Sequence, residues 1–132
     1  LVDWVRNWQT VPAWAGQTAV DTSHLPLLYA EVEHRRWVVS LKKLLHGETN
    51  TAPVLDHHQC RVGIWIDSEA HQLFAGCTKF AHVVYLHKEL HALGRSAISL
   101  YTKGEVESAL MLIPKIRMQR DDFLTELRTL IG

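Results

Sequence analysis

The chain is short of charge bias, of long apolar runs, of cysteine and of strand-like alternation, and each shortage excludes a class of protein. Fourteen basic side chains are cancelled by fourteen acidic ones. With no basic excess, neither nucleic acid nor an anionic membrane is recommended as a partner. Apolar runs such as Trp37 to Leu41 fall far below the roughly 20 residues that span a bilayer, and no basic-then-apolar leader opens the chain. A soluble segment without membrane contact is expected. Two cysteines are too few for a secreted disulfide scaffold. Beside nine histidines they read instead as a metal or redox site in a reducing, cytoplasmic compartment. Alternating apolar and polar residues are missing throughout, as is any internal repeat, so strands and repeat architectures are not expected. No initiator Met precedes Leu1, and the chain reads as a piece of something longer.

What is present is helical spacing over 132 residues, enough for one domain with one core. Residues 1–20 stand apart as an N-terminal extension or linker. There Trp4, Trp8 and Val11 share one face of a short helix, and Pro12 and Gly16 punctuate it. Such a segment can pack on the domain's own surface, end a neighbouring domain or make a dimer contact. Residues 21–132 form the domain proper. A helix is predicted from near Ser23, with Asp21, Thr22 and Ser23 as capping side chains, to His46, where Gly47 stops it. A polar loop over 48–53 follows. A short helix from Leu55 to Ser68 would carry Asp56, His57, His58 and Cys60. Gly63 inside it costs roughly 1 kcal/mol relative to Ala, which signals close approach of another backbone or side chain. The third helix runs from Leu73 or Gly76 to Tyr101, and the fourth from Glu105 to Ile131 with a bend at Pro114. The expected architecture is an all-α antiparallel four-helix bundle with an N-terminal helical extension and a metal site between facing helices.

The chemistry is concentrated between His34 and His91. His87 and His91, four residues apart, point the same way to within about 40° and stand roughly 6 Å apart along the axis, a common means of offering two nitrogens to one metal. Alone the pair proves little, because nine histidines in this length yield roughly 0.6 such pairs by chance. His34, on the inward edge of the first helix, and the thiol of Cys60 supply further donors. Three imidazoles and one sulfur suit a tetrahedral site of the kind zinc favours. His57, three residues before Cys60, and His58 are rival ligands on these grounds. His82 falls about 140° from the face of His87, and Cys77 about 80°.

His34 followed by Trp37, then Cys60 with Gly63 and Trp65, then His87 and His91, resembles the chemoreceptor zinc-binding domain, a bacterial sensory module. One departure is Val62, where the family has an aromatic, which touches packing and not ligation. The resemblance implies zinc held by His34, Cys60, His87 and His91, with the metal assigned to Cys60 alone in its segment. It also implies a homodimer, and an attached chemoreceptor signalling region or diguanylate cyclase that the domain regulates in response to zinc or to oxidants such as hypochlorous acid.

Four protein donors leave no open position for substrate water, so no catalytic residues are expected and the chain does not read as an enzyme. A zinc hydrolase of the H-E-x-x-H kind fails because Glu89 lies about 200° from His87, on the opposite face. A di-iron bundle needs inward carboxylates, and Glu33 and Glu89 are badly phased for that. The alternative kept open is a metal-free helical module for dimerisation or interaction.

Overall fold

A computed structural model of the chain describes residues 25–131. The extension expected over 1–20 and the helix start expected near Ser23 lie outside the described residues.

All regular structure among the described residues is helical. Helix α1 spans Leu25–Leu45 and buries Ala30, His34, Trp37, Val38, Leu41, Leu44 and Leu45, residues spaced by three and four. Its end is set by Gly47, whose φ of 74° only glycine adopts readily; the Glu48 N–H then reaches back to the Lys43 carbonyl at 2.9 Å. Val32, on the other side of the helix, is exposed.

The second helix departs from the sequence reading. It begins at Arg61, not Leu55: α2 spans Arg61–Trp65, with Cys60 as its N-cap in extended conformation. His57 and His58 therefore lie in the preceding loop and turn. Asp56 and Cys60 explain the shift. The Asp56 carboxylate accepts from the His58 N–H at 2.9 Å, and its carbonyl from the Gln59 N–H at 3.0 Å, closing a turn that competes with helix. The Cys60 sulfur accepts from the Gly63 N–H at 3.2 Å, doing what a serine or aspartate does at other helix starts. Beyond Trp65 the helix continues past the expected stop, through a π-helical turn over Ile66–Ala70 into the short α3, His71–Leu73. Val62, Trp65, Ile66 and Ala70 enter the core from this segment.

Helix α4, Thr78–Thr102, buries Phe80, Val83, Leu86, His87, Leu90, His91, Gly94 and Ala97. Gly94 is where Trp37 crosses: a Cβ there would lie 2.4 Å from the indole edge. The expected fourth helix is two: α5, Val106–Met111, and α6, Ile113–Ile131, with the break at Leu112. Pro114 accounts for it, since it has no N–H for the Leu110 carbonyl but is tolerated in the first turn of α6, where N–H groups lack intrahelical partners anyway.

Contacts give the directions of packing. Glu31 pairs with Arg128 and His34 meets Phe123, so α1 and α6 run antiparallel. His82 faces Glu126, and Gln119 donates to the Leu86 carbonyl, so α4 and α6 are also antiparallel. His34 with His87 and Trp37 with Gly94 make α1 and α4 parallel. These helices share one core that includes Leu41, Leu45, Val62, Val83, Leu90, Ile116, Phe123 and Leu127.

Candidate metal centre

The three charged or polar side chains buried among the described residues are all histidines: His34 at 2% exposure, His87 at 1% and His91 at 0%. Three imidazoles in an apolar interior, with no carboxylate in contact, are an expensive arrangement unless something satisfies them. Their ring centroids lie 4.8 to 5.8 Å apart. Cys60 closes the group. One donor atom from each of His34, Cys60, His87 and His91 can be chosen so that all four lie within 4.8 Å of one another. A tetrahedral zinc with bonds of about 2.0 to 2.3 Å holds its donors roughly 3.3 to 3.8 Å apart, so modest contraction brings this set onto one ion.

Each member is oriented by local structure. His34 Nδ1 lies 2.9 Å from the Ala30 carbonyl, one turn back on α1. A carbonyl only accepts, so Nδ1 carries the proton and Nε2 keeps its lone pair. His91 repeats the device with the Leu55 carbonyl at 3.1 Å, and Arg95 donates to the same oxygen at 3.1 Å. This N–H to carbonyl support is the usual outer shell of a metal-binding imidazole. The freed His91 Nε2 is buried and has no hydrogen-bond partner, an orphan atom of the kind a cation would satisfy. His87 Nε2 lies 3.1 Å from the Cys60 sulfur. Phe123 from α6 closes the other side, with its ring 5.1 Å from His34 and 5.0 Å from His87.

Electrostatics favours neutral donors. Burial pushes His34 down to about 4 and His91 to about 3. His87 lies well below its ordinary value through burial, then through its histidine neighbours. All three imidazoles thus present lone pairs at neutral pH. Burial pushes the Cys60 thiol up to about 12, against the pull of the Gly63 N–H. Without a cation the sulfur stays protonated; a metal ion brings it to thiolate, and binding releases a proton.

Trp37 is buried; its ring packs on His91 at 4.9 Å, and its indole N–H donates to the Val54 carbonyl at 2.7 Å. The rivals separate. His58 is exposed and bonded to Asp67 at 2.7 Å, and His82 faces Glu126 at 3.6 Å. His57 lies beside the cluster, with its ring 6.1 Å from His87. Cys77 is the N-cap residue of α4 and outside the donor group. No carboxylate belongs to that group, which leaves the di-iron reading without support among the described residues.

Sequence reasoning missed Phe123 as a wall of the site, because it reads as one more core residue. It missed the Ala30 and Leu55 carbonyls because backbone atoms leave no trace in residue identity. A cleft of about 450 Å³ reaches the cluster from outside, lined by Glu33, His34, Arg36, Trp37, Cys60 and Arg61 among others.

Comparison with known proteins agrees with this chemistry. No curated protein and no solved structure matches the chain. The family model of the chemoreceptor zinc-binding domain matches residues 34–98, a stretch that holds all four members of the donor group. Over that stretch the chain is similar to the chemoreceptor zinc-binding domain, and its group of three histidines and one cysteine suits the zinc for which that family is named.

Proposed function

We propose that His34, Cys60, His87 and His91 bind one zinc ion, and that the domain is a sensory and regulatory module without catalytic activity of its own. The observation that carries this is the buried, partnerless His91 Nε2, aimed into a group of neutral imidazoles and one thiol. In this reading the helices form an antiparallel four-helix bundle, with α2 to α3 as the second member and α5 to α6 as the fourth. The opposed directions of α1 and α6 and of α4 and α6 support it.

Zinc would supply a positive charge that turns the Cys60 thiol into thiolate. A thiolate is what two-electron oxidants attack: with hypochlorous acid it becomes sulfenic acid and chloride leaves. Because Cys60 is both ligand and N-cap of α2, losing its sulfur from the site would disturb the start of that helix. That is a route from zinc or oxidant to helix position, and from there to an attached output such as a chemoreceptor signalling region or a diguanylate cyclase, in the cytoplasm and as a homodimer. The exposed Leu28, Val32 and Val39 on one side of α1 are apolar surface that pairing of two copies would bury.

Metal analysis of purified protein tests the core of the proposal. One zinc per chain is expected, with weaker binding but retained helicity in Cys60→Ala. A protein that takes up no metal would return the chain to the metal-free interaction module; unchanged zinc affinity in Cys60→Ala would remove the sulfur from the site.

A further inference from the structure

His57 has a buried Nδ1 with no hydrogen-bond partner, one of two such atoms among the described residues; the other is His91 Nε2 in the donor group. Leaving such an atom unpaired costs on the order of 1 to 3 kcal/mol, so the position calls for an explanation. Its surroundings supply one. The His57 ring lies 6.1 Å from His87 and 6.5 Å from His91, against separations of up to 5.8 Å among the three histidines of the group. His57 is thus only slightly outside the distances at which those imidazoles already meet. Burial also lowers its proton affinity.

The loop that carries it is tethered on both sides of His57. Two residues before it, the Leu55 carbonyl is held by His91 and Arg95. Three residues after it, Cys60 caps α2, and the His57 carbonyl sits where a Cβ on Gly63 would be, 1.7 Å away. The Cys60 sulfur is 3.7 Å from that same carbonyl. A loop without regular structure, fixed at both ends against the cluster, lets the ring between them turn inward without travelling far. Its neighbour lacks this freedom, because His58 is bonded to Asp67.

We propose that His57 is a reserve zinc ligand: when the Cys60 sulfur leaves the metal, the His57 imidazole takes its coordination position, converting a three-histidine, one-cysteine site into a four-histidine site. Zinc then stays bound through the change, and the segment from Asp56 to Cys60 shifts instead of the ion being lost. The inference rests on the zinc reading above and adds a ligand that reading does not contain.

Cobalt substitution tests it, because cobalt reports its coordination number by visible absorption and a bound thiolate by a near-ultraviolet charge-transfer band. In the unaltered domain both the intense tetrahedral bands and the sulfur band are expected; absence of the sulfur band would overturn the zinc reading itself and the inference with it. In Cys60→Ala the sulfur band should vanish while tetrahedral intensity persists. In Cys60→Ala with His57→Ala that intensity should collapse toward the weak spectrum of a water-completed site, with cobalt binding weaker by about ten-fold or more than in Cys60→Ala. Adding His58→Ala to Cys60→Ala is the control and should change neither property. Circular dichroism on each variant keeps misfolding apart from ligand loss. If a folded Cys60→Ala, His57→Ala protein has the spectrum and affinity of Cys60→Ala, His57 is no ligand and the inference is wrong.

Discussion

At the scale of single residues, the two cysteines differ in what surrounds them. Cys60 has a sulfur pushed up to about 12 by burial, three neutral imidazoles nearby and a cleft leading to it. Cys77 caps α4 with no side-chain hydrogen bond and stands outside the donor group. Reactivity at Cys60 should therefore depend on zinc, since without a cation it is a protonated thiol and with one it is a thiolate. Limiting hypochlorous acid at neutral pH, followed by mass spectrometry, is expected to modify Cys60 before Cys77 in zinc-loaded protein. The preference should shrink or vanish after zinc is removed by a chelator. Equal modification of both cysteines in the loaded protein would contradict a sensing role. That His34, Cys60, His87 and His91 come together was anticipated from the sequence, but spacing carried only part of it: the interval of His87 and His91 put both on one face, while His57 and His58 stayed open beside Cys60 until the family resemblance favoured Cys60. The hydrogen-bond partners that orient them were not, since Ala30 and Leu55 act through carbonyls that every residue possesses.

At the scale of elements, the start of α2 couples the candidate metal centre to the fold. Gly63 faces the His57 carbonyl so closely that a Cβ would fall 1.7 Å from the oxygen, and the obstruction is backbone, which cannot swing aside. Gly63→Ala should push the loop off the helix start, displace the Cys60 sulfur from the Gly63 N–H and lower stability by about 1 to 3 kcal/mol. Urea unfolding of zinc-free protein measures the stability loss, and zinc titration should show weaker binding in the same variant; wild-type values in both would mean that the loop is not held here. Close approach at Gly63 was legible from a glycine inside an apolar helical stretch. The true start at Arg61 was not, because Asp56 and Cys60 satisfy local N–H groups in ways that compete with helix, and the sequence periodicity continues through them. The break before Pro114 was legible as a bend but resolves into two helices, since proline deprives one carbonyl of its partner just where α5 ends.

At the scale of the whole molecule, three buried histidines in one core tie folding to pH when zinc is absent. His34 and His91 hold values of about 4 and about 3 in the fold against 6.5 in the unfolded chain. As pH falls below 6.5 the unfolded chain takes up protons first. Stability is therefore full above that value and is lost as pH drops through 4 toward 3, with His34 alone contributing about 3 kcal/mol. Cys60, raised from 9.0 to about 12, acts in the opposite sense: its contribution is present below 9.0 and is lost as pH rises toward 12. Glu33, raised by desolvation from 4.5, offsets the histidines in the acid range, but as a single half-buried group. Denaturant midpoints of zinc-free protein should form a plateau between about pH 6.5 and 9 and fall steeply on the acid side. A midpoint unchanged from pH 7.5 to 4.5 would show that the histidines are not buried together.

The central claim is that one zinc ion is held by three histidine nitrogens and the sulfur of Cys60, and X-ray absorption at the zinc edge of the purified domain tests it most directly. The expected first shell is three nitrogens at about 2.0 to 2.1 Å and one sulfur at about 2.3 Å, with the sulfur replaced by a light atom in Cys60→Ala. A zinc shell of light atoms alone in the unaltered protein, or more than one sulfur, would contradict the assignment.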